Sequence, residues 1–127
     1  MNIFGIGTDI VSVDRIKNSL KNKNFINRIF NEKEILKCKK IRYSINCYAK
    51  RFAAKEAFSK ALGTGISNGI NFNEIVILNK KSGKPYISLI GHTKKILKKK
   101  FKKKIIKISL SLSDEKKYAV AFVTIFL

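Results

Sequence analysis

The stretch Arg51-Phe52-Ala53-Ala54-Lys55-Glu56-Ala57-Phe58-Ser59-Lys60-Ala61-Leu62-Gly63-Thr64-Gly65 decides how the rest of the chain is read. Its run of alanine and other good helix formers predicts a helix that stops at a glycine-bracketed turn, Gly63-Thr64-Gly65. Tyr48, Phe52, Ala53, Ala57 and Ala61 share the expected core-facing side, and the small alanines let another element approach closely. Lys55, Glu56 and Lys60 are expected on the surface of this helix. Glu56 and Lys60, four residues apart, stand one above the other and leave two readings open. One is a plain helix salt bridge; the other is a site that holds a metal beside a phosphate.

Upstream, Asn2 to Val11 is an apolar run whose period of two places Ile3, Gly5, Gly7, Asp9 and Val11 on one face of a strand. Phe4, Ile6, Thr8 and Ile10 line the other face. An acid near the end of such a strand is costly to bury alone, so Asp9 needs a cation, a metal or backbone N–H groups, or else caps the next helix. Ser12 is the expected N-cap of a helix with Val13, Ile16 and Leu20 inward and Arg15, Lys17 and Lys21 outward. A short helix follows over Phe25–Phe30, and Asn31 with Glu34 forms a capping box for a helix to about Lys40. Ser44 is expected to cap the long helix.

Downstream, Glu74–Leu78 and Tyr86–Leu89 read as a hairpin whose turn, Asn79 to Pro85, carries Gly83-Lys84-Pro85. This corner is either a basic loop or a place where Lys84 and the backbone meet a phosphate. Thr93 is expected to cap a helix to about Lys104, with Ile96, Leu97 and Phe101 inward and eight lysines mostly outward. Ile106, Ile108, Leu110 and Leu112 alternate with polar residues as in an amphipathic strand, and Ser113–Lys117 is a turn. Tyr118–Phe126, almost unbroken apolar, is expected to be a central strand buried on both faces.

A chain of 127 residues fits one domain, 1–127, and its 45% apolar and 28% charged composition is that of a folded protein. Its net charge of +20 points to acidic partners. A second origin competes for the excess, because Lys, Ile and Asn all have A/T-rich codons and all abound here. The single histidine, His92, rules out His-rich metal sites and argues against a Ser-His-Asp triad, leaving carboxylates, lysines and a hard metal to carry any chemistry. Two cysteines outside any Cys-x-x-Cys pair, with no signal-peptide pattern, predict a cytoplasmic protein. The longest apolar run is too short to span a bilayer, so no membrane partner is expected.

Gly5-Ile6-Gly7-Thr8-Asp9-Ile10-Val11 followed by Arg15-Ile16, and then Arg51 to Ala57 running on to Gly63-Thr64-Gly65, resembles the bacterial holo-acyl-carrier-protein synthases of the 4′-phosphopantetheinyl transferase superfamily. Gly83-Lys84-Pro85 and the closing Ser111-Leu112-Ser113-Asp114 to Tyr118-Ala119-Val120-Ala121 agree in order and spacing, so the likeness spans nearly the whole chain. The resemblance implies an α+β fold, mostly antiparallel sheet packed against a long central helix. It implies transfer of phosphopantetheine from coenzyme A to a serine of acyl carrier protein in fatty acid biosynthesis, releasing adenosine 3′,5′-bisphosphate.

By the same resemblance Asp9 and Glu56 are Mg²⁺ ligands, with Glu56 and Lys60 catalytic, and coenzyme A contacts fall around Arg51, Lys55, Gly63 and Lys84. The family is usually a homotrimer with each active site shared between neighbouring subunits. Some members carry a histidine near the position of Asp114, and no part assigned to that histidine transfers to this chain. Acyl carrier proteins are acidic, which makes Arg15, Lys21 and Arg28 the expected docking residues. The rival reading is a small basic nucleic-acid-binding module. It accounts for the charge but not for Asp9 and Glu56, and most aromatics that stacking would need fall at core positions, so no nucleic-acid partner is expected.

Overall fold

The computed structural model describes residues 2–63, 69–102 and 104–127. Along the chain, β1 (Ile3–Ser12) leads into α1 (Val13–Ser19), α2 (Lys23–Ile29), α3 (Glu32–Lys40) and the long α4 (Ser44–Leu62). A 3-10 turn at Phe72–Glu74 precedes the hairpin β2 (Ile75–Asn79) and β3 (Pro85–Leu89). The helix α5 (Gly91–Lys100) and the strands β4 (Lys107–Asp114) and β5 (Tyr118–Phe126) follow. All strand pairings are antiparallel: one sheet has the order β1-β5-β4 and the other is the β2-β3 hairpin, so the expected α+β architecture is found.

The helix α4 is the centre of the molecule, buried on almost every side rather than along one stripe. Its contact with β1 depends on missing side chains: a Cβ on Gly7 would overlap the carbonyl of Ala57, and one on Gly5 that of Ala61. The alanines of α4 and the glycines of β1 are thus one joint, which brings helix and strand backbones together. Gly63 closes the helix at φ 79°, where its N–H bonds back to Lys60 and Ser59. Thr64 and Gly65, the rest of the expected turn, lie outside the described residues, as does Lys103 of the expected lysine helix.

Several expectations are corrected. Lys55 is not on the surface; it is fully buried, with Nζ donating to Glu34 Oε1 at 2.7 Å and to the carbonyls of Phe72 and Ile75 at 2.8 Å. Burial draws its pKa down to about 8, while the Glu34 carboxylate pulls the other way. Glu34 is therefore more than a capping-box residue: besides accepting from Asn31 N–H it accepts from Ile77 N–H, so α3, α4 and β2 are tied at one buried point. Surface position cannot be read from helical spacing here, because a helix wrapped on all sides has no solvent face at that residue.

Strand β5 is central, as expected, but not buried on both faces. Ala119, Ala121, Val123 and Ile125 face α4, whereas Tyr118, Val120 and Phe122 are exposed with Phe4, Ile6 and Ile10 of β1 beside them. Among the described residues, only one side of the sheet has a helix to cover it. Ser44 does not cap α4: Tyr43 occupies the N-cap position and no side chain closes it. Nor does Thr93 cap α5; the cap is the Glu74 carboxylate, which accepts from His92 N–H at 2.8 Å and from Thr93 N–H at 3.1 Å. Cys38 and Cys47 are joined in a disulfide with Cα atoms 5.5 Å apart, so cysteine usage carries no argument for a reducing compartment. Among the described residues no helix is long and apolar enough to cross a membrane.

Candidate functional site

Where β1 passes over α4, Asp9 and Glu56 line one cleft of about 420 Å³ with Ser12, Arg15, Phe25 and Phe52. Each arrives for a local reason. Asp9 follows the two glycines that press β1 onto α4, and shares their strand face. Ser12 ends the strand and accepts from Arg15 N–H at 3.3 Å, which starts α1 and leaves the Arg15 side chain exposed at the mouth.

The plain helix salt bridge between Glu56 and Lys60 is not formed. Instead Lys60 Nζ crosses to β1 and donates to Asp9 Oδ1 and to the Thr8 carbonyl, both at 3.0 Å. The Lys60 side chain stays 56% exposed and that of Asp9 only 14%. Among the described residues, Asp9 Oδ2 is buried with no hydrogen-bond partner. Glu56 keeps its carboxylate free of Lys60, and its pKa is raised, first by burial and then by the neighbouring Asp9 charge, with Lys60 acting in the opposite sense.

Two carboxylates of one cleft, one with an orphaned buried oxygen, suit a hard divalent cation whose remaining positions are filled by water and phosphate oxygens. No third His, Cys, Asp or Glu completes a cluster among the described residues, as is usual for Mg²⁺ held together with a phosphorylated substrate.

The remaining expected site residues lie elsewhere. Arg51 is buried at 4% exposure, its guanidinium donating to Cys47 and, at 2.9 Å, to Asn79 Oδ1. Asn79 in turn donates to the Gly83 carbonyl, so Arg51 braces the β2-β3 turn that presents exposed Lys84. Lys55 is sealed in the core and offers a ligand nothing. Gly63 is exposed at the end of α4, and Lys21 and Arg28 are exposed near α1 and on α2. None of Arg51, Lys55, Gly63 or Lys84 lines the Asp9 cleft. Asp114 is held by Asn46 at 2.8 Å and Lys50 at 3.4 Å, both on α4. The roles of Phe25 and Phe52 as cleft walls had no sequence signal beyond their apolar spacing.

The model of the 4′-phosphopantetheinyl transferase superfamily matches residues 5–123. The chain belongs to this superfamily. It is a transferase of the phosphopantetheine class, as the motifs around Asp9 and Glu56 led one to expect. A holo-[acyl-carrier-protein] synthase of Pelagibacter ubique is 54% identical over 97% of this chain and 96% of its own length. The crystal structure of the Neisseria meningitidis holo-[acyl-carrier-protein] synthase matches with a TM-score of 0.87 at 40% identity, covering 99% of this transferase and all of that chain. The Bacillus anthracis synthase, solved in complex with CoA (3′,5′-ADP), matches with a TM-score of 0.79 at 35% identity over 97% of this chain and 96% of its own.

Proposed function

We propose that this transferase moves 4′-phosphopantetheine from coenzyme A to a serine hydroxyl of apo-acyl-carrier protein, with the whole of 1–127 as its single domain. The observation that carries the reading at the level of residues is the pairing of Asp9 and Glu56 in one cleft, with Lys60 bonded to Asp9 beside it, on a scaffold shared with synthases that bind coenzyme A. Asp9, through its orphaned Oδ2, and Glu56 would hold Mg²⁺. When bound, the ion neutralises pyrophosphate charge and lowers the barrier to displacement at phosphorus.

The chain's own residues do the rest. Lys60, held by Asp9 yet half in solvent, sits one turn beyond Glu56 where it meets negative charge developing on the pyrophosphate. The serine oxygen forms a bond to the phosphorus of the pantetheine-bearing phosphate as the bond to the departing adenosine 3′,5′-bisphosphate breaks. The serine proton passes towards Glu56 by way of a water.

Arg51, Gly63 and Lys84 lie outside the cleft of their own chain, which a homotrimer with shared sites would reconcile. The uncovered face bearing Phe4, Ile6, Ile10, Tyr118, Val120 and Phe122 is the surface we assign to that assembly. Arg15, at the cleft mouth, and Lys21 and Arg28 beyond it would receive the acidic carrier protein.

Incubation with coenzyme A, Mg²⁺ and apo-carrier protein, followed by mass spectrometry of the carrier, tests the reading. Gain of one phosphopantetheine supports it; no gain, with tight salt-sensitive nucleic-acid binding, would return the basic-module reading.

A further inference from the structure

A larger cavity, of about 610 Å³, lies away from the Asp9 cleft, between α5, β3 and the start of β4. Its walls are hydrocarbon: Ile87 and Leu89 from β3, Leu97 from α5 and Phe101 just past its end, and Ile106 and Ile108 opposite. Lys94, Lys98 and Lys104 also line it, and Ile105 at its edge is 86% exposed.

The three lysines have no acidic partner. The ion pairs of the described residues are Lys50–Asp114, Lys55–Glu34 and Lys60–Asp9. Glu74, the acid that caps α5, has its oxygens engaged by Asn71, His92 and Thr93. Lys94 and Lys98 are one helical turn apart, so two cations share one side of an apolar trough.

Apolar walls with unpaired cations complement a molecule with one hydrocarbon chain and one anionic head, and the volume is in the range that binds small ligands, about 300–1,000 Å³. A nucleotide would leave its polar groups unmet against these walls. A nucleic-acid strand would need open aromatic faces, whereas Phe101 is buried and packs edge-on against Phe4 with centroids 5.0 Å apart.

We propose that this cavity binds a medium-chain fatty acid, its carboxylate between Lys94 and Lys98 and its chain over Leu89, Leu97 and Ile108. The site is separate from the transfer cleft, and its occupant would cover Ile105.

Calorimetric titration of the whole chain with dodecanoate below its micelle concentration tests this. Saturable binding of one dodecanoate per chain is expected, weakened about tenfold or more when dodecanol replaces it or when Lys98→Glu reverses the charge. Ile105→Glu, at an exposed position, should weaken it with the thermal midpoint unchanged, and both variants should keep normal transfer activity. Saturating coenzyme A should leave the dodecanoate affinity within about twofold, since the two sites are distinct. Equal affinity for dodecanol would overturn the proposal, as would competition by coenzyme A. Binding seen only with phosphatidylglycerol vesicles and not with monomeric dodecanoate would overturn it too, making α5 a membrane-facing surface instead.

Discussion

Lys60 on α4 donates to Asp9 Oδ1 on β1 at 3.0 Å, while the other Asp9 oxygen is buried with no partner among the described residues. A carboxylate built only for stability would have both oxygens satisfied. Replacing Asp9 by Asn is therefore expected to leave the thermal midpoint unchanged or higher. The Mg²⁺ concentration needed for half-maximal transfer should rise by roughly tenfold or more. A Mg²⁺ titration of activity beside a melting curve checks both halves, and an unchanged Mg²⁺ requirement would remove Asp9 from the metal site.

Glu56 and Lys60 are expected to act on turnover rather than on folding, since one is half-buried in the cleft and the other mostly exposed. Glu56→Gln and Lys60→Ala should each lower kcat roughly 100-fold at saturating Mg²⁺. Near-normal turnover of Glu56→Gln under those conditions would end the metal-site reading.

Arg15 is exposed where the cleft opens. Its reversal to Glu should raise the apparent KM for carrier protein by roughly tenfold and leave that for coenzyme A near its original value. Steady-state kinetics with each substrate varied separates the two. Equal effects on both would refute docking through this residue.

The fully buried Lys55–Glu34 pair predicts the opposite phenotype. Lys55→Met leaves Glu34 charged in the core, at a cost of about 3–5 kcal/mol in urea unfolding. What remains folded should bind coenzyme A with ordinary affinity. A specific loss of coenzyme A binding at full stability would show that Lys55 serves the ligand after all.

Glu74 predicts acid sensitivity. Burial alone would raise its pKa, but hydrogen bonds from Asn71, His92 and Thr93 hold it down to about 2, against an ordinary value of 4.5. As pH falls, the unfolded chain takes up this proton before the folded one does. The stabilisation is thus complete above pH 4.5 and is lost progressively from there to about 2. Glu74→Gln should flatten this part of the stability profile, measured by urea unfolding between about pH 6 and pH 3. A parallel profile for the two proteins would show that the α5 cap does not titrate in that window.

Much was legible from local pattern. Ser12, Asn31 and Gly63 marked helix ends because caps act within one turn of chain, and alternation revealed β1 and β4 because a strand facing one layer keeps a period of two. The order of motifs around Asp9 and Glu56 was sufficient to indicate the transferase family. What local pattern could not convey was which surface of α4 meets which neighbour. Lys55, Glu56 and Lys60 looked alike as charged residues on a helix. Packing divided them into a core anchor to Glu34, a cleft carboxylate, and a cation reaching Asp9. The open face of β5 and the acid cap supplied to α5 by Glu74 were equally hidden, because each depends on elements brought together from distant positions. Local caps such as those of Ser12, Asn31 and Gly63, and strand periodicity, are properties of neighbours along the chain, and sequence alone determined them. Burial, ion-pair choice and the gathering of Asp9 with Glu56 are set by which backbones can touch: the glycine-to-alanine joint between β1 and α4 brings Asp9 to Glu56, and the packing of α3 and β2 on α4 seals Lys55 against Glu34.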